Sequence, residues 1–221
     1  MKKTLILAFA ATILITFSAK NLLAQTKEEA GNAFNAALEL SKTDMAGAVV
    51  KMQDVLKMCS TVGKDADSLK IKVTKVLPAF QFNVGNSLKS EKKFDQAIVA
   101  YEKSNDFAVS YADANIKEKS QGQLVILYTS KGSTLLKADK ADSAILFLDK
   151  ALKFNPEYCK ALFTKGQAFK KKGDNAKMTE IMEVAITCAT KTNDTVIIKA
   201  ARNMIGSNLN QEGTAAYNKK A

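Results

Sequence analysis

The sequence has no histidine and no tryptophan, and Arg202 is its only arginine. Histidine is the most common general acid–base residue, so its absence removes the usual basis of a hydrolytic or proton-transfer site. The nucleophile motif G-x-S-x-G and the phosphate-binding motif G-x-x-x-x-G-K-[ST] are missing as well. The sequence therefore predicts a protein without catalytic activity.

Residues that interrupt helices are also scarce. Only two prolines and ten glycines occur in 221 residues, and apolar residues make up 47% of the chain. Alternating β-branched runs bounded by Asn-Gly or Asp-Gly, which signal hairpins of strands, are hard to find. Alanine, lysine, leucine and glutamate dominate and favour helix. We expect an all-α fold with a substantial core.

Metal ligands are few. The three cysteines, Cys59, Cys159 and Cys188, form no C-x-x-C pair, and no histidine accompanies them. Carboxylates occur in "KDADS" and "KGDNAK", but neither stretch has the spacing of a calcium loop. We expect Asp65 or Asp67, and Asp174 or Asn175, to cap helix N-termini instead. The sequence predicts no metal site and no cofactor.

The N-terminus has the three parts of a secretory signal peptide. Lys2 and Lys3 precede an apolar stretch over residues 5–17, and a small-residue exit follows. Cleavage is expected after Ala24, with Ala19 as the second choice. The apolar stretch is short for a membrane span of about 20 residues, although a retained N-terminal anchor is the alternative. We expect no stable membrane insertion of the remaining chain, and export to a bacterial periplasm, with secretion or outer-membrane association as alternatives.

The chain is basic because of its lysines. Lys2, Lys3 and Lys20 account for three of the +11 formal charges, so the chain without its first 24 residues carries +8. A basic protein can attract acidic partners, but a lysine-rich solvated surface has the same composition. Nucleic acid is an unfavoured partner, because arginines and interleaved aromatic residues for base stacking are missing.

A repeat of 34 residues organises the middle of the chain. Gly132 and Gly166 are 34 residues apart, and aligning them pairs apolar or small residues before and after each glycine. Residues 80–104 fit the same frame when Gly85 takes the place of Gly132. The positions that define the frame are Gly85, Ala97, Tyr101, Tyr128, Gly132, Ala144, Ala151, Pro156, Gly166 and Ala185.

This pattern resembles the tetratricopeptide repeat, a hairpin of two helices with a 34-residue period. In the physical interpretation, each glycine or alanine lets two helices cross closely, large residues fill the space beside it, and Pro156 ends a second helix. The resemblance implies a right-handed superhelical stack of antiparallel helix hairpins, that is, an α-solenoid. We expect a signal peptide over 1–24, a degenerate helix pair over 25–64, three hairpins over 65–190 and capping helices over 191–221.

Two first helices should be longer than the first helices of a standard tetratricopeptide repeat. Gly85 and Gly132 are 47 residues apart, 13 more than one period, and the surplus has helical character. We predict first helices over 65–90 and over 111–138, extended by about three turns, with Pro78 interrupting or kinking the former. The degenerate pair should occupy 27–42 and 45–60. Residues 195–211 should form a fifth first helix, followed by a short terminal helix.

The resemblance also implies a function. First helices of this family line a concave face that holds another protein or a peptide, so we expect an interaction scaffold that binds an acidic segment. A solenoid that binds a small ligand or glycan is the alternative. Some family members hold a carboxylate with lysine and asparagine, which Lys160 and Asn86 match. The candidate groove residues are Phe82, Asn86, Lys89, Thr129, Ser133, Lys137, Lys160, Phe163, Gln167, Lys170 and Lys171, and both phenylalanines are expected to be exposed.

The repeat frame predicts that two cysteines lie close together. Cys159 begins the first helix of the last full hairpin and Cys188 ends its second helix, and antiparallel helices bring those ends together. A disulfide would require Cα atoms within about 7 Å. Two buried, unreacted thiols are the alternative.

Overall fold

The computed structural model describes residues 26–218, with side chains as far as Gln211, so the predicted signal peptide lies outside the described residues. This part of the chain contains nine α-helices, one short 3-10 helix at Gly63–Ala66 and no strand, which confirms the all-α class. The helices are α1 Lys27–Leu40, α2 Met45–Val62, α3 Asp67–Ser90, α4 Phe94–Ser110, α5 Ala114–Lys137, α6 Ala141–Phe154, α7 Cys159–Lys171, α8 Asn175–Lys191 and α9 Thr195–Asn218.

The helices form a curved stack of hairpins. We call the odd-numbered helices first helices and the even-numbered ones second helices. Each helix packs on the next one along the chain, and every other helix–helix contact in the described range joins a first helix to the following first helix. Second helices of neighbouring hairpins do not touch. The stack therefore curves with the first helices inside, and their exposed side forms the concave face.

The first helices differ in length. Helices α3 and α5 have 24 residues each, whereas α7 has 13, so the predicted extension of two first helices is confirmed. Helix α3 runs through Pro78, which is buried, so the predicted interruption at this proline is absent. Helix α9 also has 24 residues, so the short α7 lies between two longer first helices.

Buried polar side chains tie the long helices together. The Ser104 hydroxyl of α4 donates to the Pro78 carbonyl of α3 at 2.9 Å, and the Ser120 hydroxyl of α5 donates to the Ser104 oxygen at 3.0 Å. The Gln81 amide donates to the Ala100 carbonyl at 3.2 Å. Because a buried polar group without a partner is costly, these bonds favour one relative placement of the three helices.

The capping predictions are half right. Asp174 accepts a hydrogen bond from the backbone N–H of Lys177 at 3.1 Å, and this bond lowers the pKa of its carboxyl group. Asp65 and Asp67 do not cap α3, because its N-cap residue is Ala66 and makes no side-chain bond. The chain enters α3 from the preceding 3-10 turn rather than from extended backbone, so no side chain folds back onto the first N–H groups.

The C-terminal prediction needs a correction. A single helix, α9, extends from Thr195 to Asn218 where a first helix and a separate short helix were expected. No proline occurs in this range, and its two glycines, Gly206 and Gly213, both lie within the helix. A glycine costs about 1 kcal/mol in a helix interior, which is too little to end a helix that packs on α8.

The turns between helices repeat one conformation that the sequence did not reveal. In five turns one residue has positive φ, and the N–H of the residue after it bonds to a carbonyl five positions earlier. This is the Schellman arrangement, which usually takes glycine. Here only Gly173 is a glycine, and the others are Lys92, Ala112, Asp139 and Asn193.

Candidate functional site

The repeat glycines lie where the helices of each hairpin meet. A Cβ atom on Gly85 would lie 2.6 Å from the ring of Tyr101, and one on Gly132 would lie 2.7 Å from Cγ of Leu148. A Cβ atom on Gly166 would lie 2.7 Å from Cε of Met182. The same repeat position therefore sets a close helix crossing in three successive hairpins, and this crossing orients the first helices toward the concave face. Of the other frame positions, Ala97, Tyr101, Tyr128, Ala144, Ala151 and Ala185 are buried, and Pro156 lies exposed just after α6.

The aromatic frame residues have polar partners. Tyr128 is 2% exposed, and its hydroxyl donates to the carboxylate of Glu102 on α4. Burial and this carboxylate raise the pKa of Tyr128. The Tyr101 hydroxyl donates to Oδ1 of Asn86 at 2.8 Å, and burial raises the pKa of Tyr101. Both phenols stay neutral at physiological pH and serve to join helices.

Five candidate groove residues line one depression on the concave face. The depression has a volume of about 420 Å³ and lies between the C-terminal parts of α5 and α7 and the middle of α9. Because three consecutive first helices contribute to it, the depression depends on the stacking of the hairpins. We call it the lysine depression, and it is lined by Ser133, Leu136, Lys137, Gln167, Lys170, Lys171 and Met204.

Two residues that line the depression were not among the candidates predicted from the sequence. Leu136 and Met204 lie 34 residues before and after Lys170, so all three occupy one repeat position. Extending the frame from the candidate Lys170 in both directions would have found them. They give the depression two apolar side chains among its polar ones.

The lysines of the depression differ in their partners. Nζ of Lys171 lies 2.6 Å from a carboxylate oxygen of Asp139, so its charge is compensated. Lys137 and Lys170 are exposed and make no ion pair with any side chain from residue 26 to residue 211. Among the residues that line the depression, uncompensated positive charge is therefore carried by Lys137 and Lys170.

The candidates from the first good repeat have structural partners. Nζ of Lys89 donates to Oε1 of Gln123 on α5 at 2.8 Å. The ring of Phe82 lies 5.3 Å from the ring of Tyr101, and Phe82 is only partly exposed. Asn86 is exposed but accepts the bond from Tyr101. These residues hold α3 against its neighbours and lie outside the lysine depression.

Three further candidates differ in exposure, and only one of them is on the surface. Thr129 is 2% exposed and donates to the Val125 carbonyl at 2.7 Å, so its assignment to the groove surface was wrong. Phe163 is half-buried and packs against the two core clusters around Ala185 and Met182, so the expected exposure of both phenylalanines was wrong as well. Lys160 is exposed near the N-terminal end of α7, at the opposite end of that helix from Lys170.

The last full hairpin contains a disulfide. Cys159 and Cys188 are joined, with an S–S distance of 2.00 Å and a Cα–Cα distance of 5.5 Å. The bond connects the first residue of α7 to the last turn of α8. Cys59 is a free, buried cysteine, and burial raises the pKa of its thiol.

Other kinds of site receive no support from the described residues. Between residues 26 and 211 no group of three or more cysteine, aspartate or glutamate side chains is arranged to hold a metal ion. None of the helices over the same range combines the length and the apolar character that crossing a membrane requires.

Comparisons with known proteins agree with the fold. The sequence model of the tetratricopeptide repeat matches residues 125–158. No curated protein matches the sequence at a significant level. The match and the helical repeat together support a tetratricopeptide-repeat protein.

Solved structures that resemble the chain are distant. The C-terminal TPR-containing domain of a Plasmodium falciparum FK506-binding protein is 19% identical, with a TM-score of 0.44, over 66% of this chain and 95% of that one. The complex of the yeast Sti1 TPR2AB domain with pHSP90 is 15% identical, with a TM-score of 0.39, over 86% and 73%. BtubC from P. vanneervenii is 12% identical, with a TM-score of 0.38, over 88% of both chains.

Proposed function

We propose that this protein is a non-catalytic interaction scaffold that holds an acidic or carboxylate-bearing segment of a partner protein in the concave groove between α5, α7 and α9. The observation that carries the proposal is the pair of exposed lysines, Lys137 and Lys170, which line the lysine depression and have no ion-pair partner among the side chains of residues 26–211. A carboxylate bound there would gain charge-assisted hydrogen bonds without breaking an existing pair.

The size of the electrostatic contribution follows from exposure. An exposed ion pair contributes about 0.2–1 kcal/mol, so two lysines together contribute about 0.4–2 kcal/mol, which changes affinity by about twofold to thirtyfold. Charges of this kind raise the association rate and lose their effect as salt increases. Leu136 and Met204 add apolar surface that salt does not weaken in the same way.

The lysines provide the test. We expect the Lys137→Ala, Lys170→Ala double variant to bind a fluorescein-labelled peptide ending in Asp-Asp about tenfold more weakly at low salt, measured by fluorescence anisotropy. The matched control is Lys103→Ala, Lys153→Ala, which removes the same charge from exposed positions on second helices and should change affinity less than twofold. Equal losses in the two double variants would mean that net charge, and not the groove, attracts the peptide.

We also propose that the protein acts outside the cytoplasm, in the envelope of a bacterium. Lys2 and Lys3, the apolar stretch over 5–17 and the small residues up to Ala24 support export. The Cys159–Cys188 bond supports the same location, because disulfides persist in oxidising compartments and are rare in the cytosol.

Export is tested at the N-terminus. We expect N-terminal sequencing of protein recovered from the periplasmic fraction of an expressing bacterium to start at Gln25. A start at Lys20 would support the second cleavage position. Protein that retains Met1 in that fraction would contradict cleavage.

A further inference from the structure

A second depression lies at the other end of the same groove. It has a volume of about 390 Å³, within the range of ligand pockets, and lies where the N-terminal half of α5 meets the turn after α6. We call it the aromatic notch. It is lined by Glu118, Gln121, Gly122, Val125, Ile126, Phe154, Asn155 and Tyr158.

The notch exists because α5 is longer than its partner. Helix α6 has 14 residues and packs antiparallel along the C-terminal part of α5, so about the first ten residues of α5 extend beyond the end of α6. Phe154 and Tyr158 lie at this step. Gly122 leaves it open, since no heavy atom lies within 4 Å of the place where its Cβ would be. Gly122 therefore lies in the part of α5 that precedes residue 125, where the match to the tetratricopeptide repeat begins.

Helical periodicity places the two depressions on one stripe of α5. Gly122, Ile126, Ser133 and Lys137 follow one another at spacings of four, seven and four residues, which keeps them on one face of the helix. Ile126 is 46% exposed, although it is a large apolar residue. The concave groove therefore has an apolar, aromatic end at the notch and a positively charged end at the lysine depression.

Charge sets the direction of a bound segment. Glu118 lines the notch and makes no ion pair within the described residues, while no lysine is among the residues that line it. Lys160 is exposed two residues after Tyr158 but is not among the residues that line the notch, so Glu118 and Lys160 carry opposite charges at this end. A carboxylate of a ligand is therefore attracted more strongly by Lys137 and Lys170 at the other end.

From this arrangement we infer that the partner segment has two anchors: an acidic residue in the lysine depression and a large apolar side chain, aromatic or leucine, in the aromatic notch. The inference rests on the proposed function and adds the second anchor and its spacing. From residue 122 to residue 137 the helix rises about 22 Å. An extended chain covers that distance in about six or seven residues.

Three labelled peptides test the spacing. Each contains one phenylalanine and a terminal Asp-Asp pair, separated by about three, six or nine serine and alanine residues. We expect the six-residue spacer to bind most tightly to the full chain in fluorescence anisotropy, by about tenfold over the same peptide with alanine in place of phenylalanine. The three-residue spacer is too short to reach both sites and should bind like the alanine peptide, whereas the nine-residue spacer can span them and should keep part of the gain.

Filling the notch tests its position. Gly122→Leu places a side chain in the open space and should weaken binding of the six-residue peptide about tenfold, to the level of the alanine peptide. It should leave binding of the alanine peptide unchanged. The matched control is Gly31→Leu on α1, where a Cβ also meets no atom within 4 Å, and it should not change binding of either peptide.

The outcomes separate the inference from the proposed function. Binding that depends on Lys137 and Lys170 but is insensitive to the phenylalanine, the spacer and Gly122→Leu overturns the second anchor and leaves the proposed function standing. If binding depends on the phenylalanine but is unaffected by Gly122→Leu, the apolar anchor binds elsewhere, and the assignment of this anchor to the aromatic notch is wrong. No measurable binding of any of the acidic peptides overturns both.

Discussion

Replacing both disulfide cysteines, Cys159→Ser with Cys188→Ser, should lower the free energy of unfolding by about 3–4 kcal/mol. The cross-link closes a loop with a sequence separation of 29, and removing it returns the corresponding chain entropy to the unfolded state. In a repeat stack each hairpin contacts only its neighbours, so we expect the loss to be concentrated in α7, α8 and α9. Urea denaturation followed by circular dichroism measures the change.

Reductant gives the matched control for this prediction. It should destabilise the natural protein by about the same amount as the double substitution and should have no effect on the double variant. Under denaturing, non-reducing conditions the natural protein should show one titratable thiol, that of Cys59. Three titratable thiols, or identical urea midpoints with and without reductant, would contradict the contribution of the disulfide.

Placing leucine at a repeat glycine should have the second large effect. We expect Gly132→Leu to lower the free energy of unfolding by about 1–3 kcal/mol or more, despite a gain in helix propensity of about 1 kcal/mol. A Cβ at this position would lie 2.7 Å from Cγ of Leu148 and 3.2 Å from the backbone oxygen of Ala144, so the backbone itself limits any relief. Thermal and urea unfolding measure the loss.

Two other glycines calibrate the result. Gly31→Leu puts the same side chain into open space on α1 and should leave stability unchanged or raise it by up to about 1 kcal/mol. Gly166→Leu should fall at the low end of the range, because the atoms it meets belong to the flexible side chain of Met182. Equal stability of Gly132→Leu and Gly31→Leu would show that the repeat frame misplaces the helix crossing.

The frame was predictable because it depends on residue size at fixed spacing. Where a large residue of the next helix packs closely, the position requires glycine, so glycine recurs at the same place in each repeat. Gly85, Gly132 and Gly166 all make that contact. The extension of α3 and α5 was readable as well, because the surplus between periods had helical character. The C-terminal helix was harder to predict, since neither Gly206 nor Gly213 indicates by itself whether a helix ends or continues.

The groove was only partly predictable because exposure depends on partners distant in sequence. Thr129 fits the stripe of α5 but is covered by packing. Lys89 and Lys171 were candidates for binding, yet Gln123 and Asp139 occupy their ammonium groups. These partners lie 34 and 32 residues away, and only the stacking of adjacent hairpins brings them within reach.

By itself the sequence determined the helical class, the 34-residue period, the close crossings at the glycines and the long first helices. Each of these depends on local propensity or on the size of a residue at a regular spacing, which the order of residues records directly. Tertiary structure alone decided which lysines remain uncompensated and where the groove opens. Both depend on the curvature of the stack and on the step at which short α6 ends beside long α5, and those follow from contacts between hairpins.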